Sequence, residues 1–105
     1  MYKLCFYVPD SHVEAVKQAI FATGVGHVGA YDRWCWQVLG QSQFRPLAGS
    51  QAFIGQPGEL TTLAEWKVEM LVADELIHAA VKALRGSHPY EMPAFEVWRL
   101  SDLQL

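Results

Sequence analysis

This chain of 105 residues contains only two cysteines, Cys5 and Cys35. Both lie in apolar alternating stretches without CxxC spacing, so buried free thiols are expected rather than a disulfide framework or a zinc ribbon. Basic residues are also scarce, eight against eleven acidic ones for a net charge of −3, and Arg33, Arg45 and Arg85 are scattered rather than striped. With a pI near 5.7, that balance argues against a general binder of nucleic acid or of anionic membranes. No run is long and apolar enough to span a bilayer, and the opening Met1-Tyr2-Lys3-Leu4-Cys5 has no basic leader region. A cytoplasmic location in a reducing compartment is therefore the expectation. Also missing are a phosphate loop, paired catalytic carboxylates and a Ser-His-Asp arrangement at recognisable spacing, so an enzyme ranks last among the function classes.

What is present describes one soluble domain with a modest core, since 51% of the residues are hydrophobic and 18% charged. Tyr2 to Val8 alternates, with Leu4, Phe6 and Val8 against Lys3, Cys5 and Tyr7, as a half-buried strand does. Pro9-Asp10-Ser11 breaks it, and Ser11 with Glu14 forms a capping-box signal for a helix ending at Thr23-Gly24. Tyr31 to Leu39 reads as a second strand, and Ala64 to Val72 as a third, with Trp66, Val68, Met70 and Val72 on one face. Between them, Gly40 to Thr62 is the least regular part. Its Phe44, Leu47, Phe53 and Ile54 suggest a loop that docks on this domain or on a partner. Asp74 is placed to cap a second helix ending at Gly86, and Phe95 to Leu100 forms the last strand.

The order strand, helix, strand, strand, helix, strand predicts an α+β, ferredoxin-like βαββαβ domain over residues 1–105, interrupted by a long loop at about 40–62. Two helices would cover one face of a four-stranded antiparallel sheet, with the first and third strands central. The other face, left uncovered with large apolar side chains in both alternating sets, predicts a homo-oligomer.

Two motifs stand apart from this frame. Gly24-Val25-Gly26-His27-Val28-Gly29 has the literal GxGxxG spacing, but a helix precedes it and a strand follows, the reverse of a dinucleotide site. Its glycines read better as a helix cap and a close backbone passage, with an anion-binding nest left open. His88-Pro89-Tyr90-Glu91-Met92-Pro93 is a corner stiffened by two prolines, able either to hinge the last strand or to position side chains for a ligand.

Together with Phe44-Arg45-Pro46-Leu47-x-Gly49 and Phe53-Ile54-Gly55, these motifs resemble the YqfO-type insert domain of the Nif-three-like dinuclear metal-centre proteins, over essentially the whole chain. The corner is also similar to that of CutA, a trimeric divalent-ion-tolerance protein, and both families share the ferredoxin-like group with the PII signalling proteins. The resemblance implies a stand-alone, trimer-forming, PII-like module with Gly40 to Thr62 where PII proteins carry their signalling loop. It also implies that the dinuclear metal site, built by flanking halves absent from this chain, is not carried over, and with it any GTP cyclohydrolase activity. The candidate ligand site combines His27, Gly29, Tyr31, Arg45, His88, Tyr90 and Glu91, whose arginine, histidines and backbone amides suit a small anionic ligand. A partner protein is the other candidate for recognition. The alternative is a CutA-like protein binding a divalent metal ion through His27, His88 and Glu91; otherwise no cofactor is expected.

Overall fold

In a computed structural model the structure describes residues 1–101. The elements run β1 (Tyr2–Pro9), α1 (Val13–Phe21), β2 (Trp36–Phe44), β3 (Thr61–Val72), a single 3-10 turn (Asp74–Leu76), α2 (Ile77–Ser87) and β4 (Phe95–Arg99). The four strands form one antiparallel sheet in the order β2-β3-β1-β4, so the expected topology is found, with the first and third strands central.

Both helices lie on one face because their buried side chains repeat every three to four residues: Val13, Val16 and Ile20 in α1, and Ile77, Ala80 and Leu84 in α2. They close over Leu4, Phe6 and Val8 of β1 and Val68, Met70 and Val72 of β3, which complete a contiguous core. Antiparallel register decides which alternating set turns inward. Leu4 pairs with Met70 and Val97, Phe6 with Val68 and Phe95, and paired residues share a face. The set Lys3, Cys5, Tyr7, Trp36, Val38, Lys67, Glu69 and Trp98 therefore lies on the face away from the helices. The core is bounded at β1 and β4 by a short closure, where the Leu100 N–H donates to the Met1 carbonyl at 3.0 Å.

Several boundaries differ from the sequence reading. The second strand begins at Trp36 rather than Tyr31, because Gly24, Gly26, Gly29 and Arg33 all take positive φ and turn the chain repeatedly before it can extend. It then continues through Gly40 to Phe44, paired with β3 to the last residue. The polar Gln41-Ser42-Gln43 hid this extension, since an edge strand needs no apolar alternation. The irregular connection is consequently 45–60, shorter at both ends than expected. Ser11 does not cap α1; its hydroxyl hydrogen-bonds the His12 ring at 2.7 Å, and His12 stands at the N-cap without a side-chain bond to the helix. Asp74 does not cap either, its carboxylate being turned to the Met1 amino group and, at 3.9 Å, to Arg99. Gly86 lies inside α2, which runs one residue further. The stop comes at His88, held extended at ψ 138 before Pro89.

Candidate functional site

The predicted site residues fall at two opposite ends of the sheet. His27, Gly29 and Tyr31 belong to the turn after α1, where Val28 and Tyr31 form a small bridge, beside the Tyr2 end of β1. His88, Tyr90 and Glu91 lie at the Pro9 end, where the Tyr7 N–H donates to the Ala94 carbonyl. Roughly 23 Å of extended chain separates the two ends of β1, so the structure does not bring these halves of the candidate site together within one chain. His27 and Tyr31 are exposed, the latter 70%. Arg45 is at the corner's end of the sheet but exposed, and it does not line the cleft found there.

That cleft, about 370 Å³, is built from three segments. Tyr7, Phe44 and Glu65 enter from the sheet; Ser50, Phe53 and Ile54 from the 45–60 connection; Tyr90, Glu91 and Met92 from the corner. The connection is folded back rather than free. Gly58 donates to the Pro46 carbonyl at 2.7 Å, Ser50 to Leu47 at 3.1 Å, and the Gln51 N–H to Glu91 Oε1 at 3.1 Å. Gly55 takes φ +95, and a Cβ there would fall 2.7 Å from Thr61 Oγ1, so only glycine lets the chain return this closely. Phe53 packs edge-on against the His12 ring at 5.3 Å and tilted against Tyr90 at 6.3 Å, and Phe44 approaches Tyr90 at 6.4 Å. Of the two docking surfaces open to this loop, its own domain is the one it takes.

His88 is the anchor of the corner. It is 7% exposed, and its Nδ1 accepts from the Tyr90 N–H at 3.2 Å while Nε2 faces the Tyr7 carbonyl at 2.7 Å. A carbonyl only accepts, so Nε2 carries the proton and the ring is neutral. Burial pulls its pKa below the usual histidine value. Both nitrogens being committed, His88 has no lone pair for a metal in this conformation, and within one chain the trio His27, His88 and Glu91 is not assembled. Among the described residues no group of three His, Cys, Asp or Glu side chains is placed to hold a metal ion.

The cleft is unusual for what it leaves unpaired. Among the described residues, four buried side-chain oxygens lack a hydrogen-bond partner, and three of them, Ser50 Oγ, Glu65 Oε2 and Tyr90 Oη, belong to residues lining this cleft. Glu65 is only 6% exposed. Burial first, and second the approach of its hydroxyl to the Glu65 carboxylate, short of a hydrogen bond of ordinary geometry, drive the Tyr90 phenol well above its ordinary pKa. Tyr7, whose hydroxyl donates to Glu96 at 3.2 Å, is pushed up to about 12, again first by burial. Tyr90 and Glu91 were foreseen; Glu65, Ser50 and Phe53 were not. Glu65 reads as the polar half of an alternating strand, and only the apolar content of the connection signalled that something would cover it.

The fold defines the class first: a PII-like, CutA-like domain. CutA from Nostoc sp. PCC 7120, described as a PII-like protein, superposes with a TM-score of 0.64 over 97% of this chain and 83% of its own, at 20% identity. The particular likeness is to one segment of larger proteins. The chain is 39% identical over 93% of its length to the Mycobacterium leprae protein called GTP cyclohydrolase 1 type 2 homolog, of which it spans 26%. The Bacillus cereus protein related to NIF3 superposes with a TM-score of 0.81 at 30% identity, covering 96% of this chain and 26% of that one. These likenesses bear out the resemblance to the YqfO-type insert of Nif-three-like proteins, and the chain spans about a quarter of the length of such relatives. No family model matches the chain.

Proposed function

We propose that this chain is an oligomeric, PII-like binding module without catalysis of its own, and that the cleft between the 45–60 connection and the proline corner is where it recognises a ligand or partner. The observation that carries this reading is the gathering of three unpartnered, buried oxygens in one aromatic-walled cleft, because such groups are costly unless something satisfies them. The names of the relatives describe proteins about four times as long, consistent with the 26% spanned, and chemistry done by the rest of those chains is no part of this module. Within one chain, the residues expected to hold an anionic ligand do not form a single site. His27 is at the other end, Arg45 points to solvent, and His88 is neutral and closed.

Oligomerisation is supported by the uncovered sheet face, where Trp36 is 55%, Trp98 46%, Val38 42% and Leu71 40% exposed. A trimer is the assembly we favour. Native mass spectrometry of the protein purified without added ligand should give a species larger than one subunit carrying a retained small mass. A bare monomer would overturn both parts of the reading.

A further inference from the structure

The charged groups lining the cleft are both carboxylates: Glu65 in its floor and Glu91 at its rim, with no lysine, arginine or histidine among the lining residues. Glu91 already accepts the Gln51 N–H. Glu65, more than nine-tenths buried, lies close enough to the Tyr90 hydroxyl to couple with it, yet no hydrogen bond of ordinary geometry reaches its Oε2, the Tyr90 Oη or the Ser50 Oγ. A buried carboxylate of this kind is an acceptor, and what it lacks is a donor, ideally a charged one. Around that polar floor stand the rings of Phe44, Phe53 and Tyr90, the Tyr90 centroid lying 6.4 Å from that of Phe44 and 6.3 Å from that of Phe53. Their faces attract a cation and pack a flat apolar body. A volume of about 370 Å³ suits one or two rings rather than a nucleotide or a peptide.

Resting on the reading of the cleft as a recognition site, we propose that its ligand is a small organic cation: a compact aromatic or apolar body bearing an amidinium, guanidinium or ammonium head that hydrogen-bonds Glu65. The head would donate to Oε2 of Glu65, and the Tyr90 and Ser50 hydroxyls can turn to accept its remaining N–H groups. The body would lie against Phe44 and Phe53. Specificity then comes from the sign of charge at the head, since an anion of the same shape would bring a second negative charge against a buried carboxylate.

Two probes of the same shape and opposite charge, benzamidinium and benzoate, test this by 1H–15N NMR titration of the full chain. Benzamidinium should shift the amides of residues 50–54 and 90–92 saturably, and benzoate should not. Glu65→Gln should weaken benzamidinium about tenfold or more, with the α1 amides at their wild-type positions as the sign of an intact fold. Tyr90→Phe, a milder change, should weaken it about threefold and serves where Glu65→Gln does not fold. Benzoate binding as well as benzamidinium, or benzamidinium binding unaltered by these variants, would overturn the cation assignment while leaving the cleft a recognition site. Neither probe moving those amides would overturn the recognition reading, and this inference with it.

Discussion

His88 holds the corner by being neutral, and this makes the fold sensitive to acid. Its folded pKa lies below the ordinary 6.5 because burial disfavours the charged ring. As pH falls through about 6.5 the unfolded chain takes up a proton that the folded chain resists, so the unfolded state binds more protons and stability declines with acidification. Above that pH the histidine contributes no such penalty. Denaturant unfolding between about pH 7.5 and 5 should show this decline, and His88→Gln, which keeps an amide donor for the Tyr7 carbonyl, should flatten it. Replacing the buried Glu65 side chain with methionine should raise unfolding free energy by about 1 kcal/mol while removing recognition, a direction read directly from unfolding midpoints.

At the scale of elements, the two turns that depend on glycine are the least replaceable parts of the chain. A Cβ on Gly26, at φ +96, would sit 3.0 Å from both the Phe21 ring and the Trp34 backbone nitrogen. Gly26→Ala should therefore destabilise the domain by about 1 to 2 kcal/mol. Gly55→Ala should instead act locally, loosening the 45–60 connection without unfolding the sheet, and hydrogen exchange at the Ser50 and Gly58 amides should accelerate. The elements themselves were largely legible, because Leu4-Phe6-Val8 and Val68-Met70-Val72 alternate while Val13-Val16-Ile20 keeps a helical period. Their ends were not. Capping signals at Ser11 and Asp74 were overridden by His12, Arg99 and the chain's own amino group, partners that only the folded chain places within reach. Gln41-Ser42-Gln43 carries no pattern that distinguishes an edge strand from a loop.

For the molecule as a whole, the uncovered sheet face is apolar at its flanks and charged at its centre, where Lys3 meets Glu69 at 3.4 Å and Lys67 meets it at 3.8 Å. The assembly should therefore depend on Trp36 and Trp98 more than on the ion pairs. Placing aspartate at both tryptophans should convert the oligomer to monomers in sedimentation velocity while the far-ultraviolet spectrum stays that of the folded chain. The candidate site was legible only by halves: the corner was visible in its prolines, but Glu65 shares its cleft with Ser50 and Tyr90, residues distant in sequence that only the fold unites with it. One further consequence lies in the hydrogen bond from Leu100 to Met1. Because strand β4 finishes where β1 starts, entry to and exit from the domain share one doorway. A host chain could accept the whole unit within a surface loop with little stretch in its own backbone. The same geometry would let the two ends be sealed and the chain reopened elsewhere without disturbing the sheet.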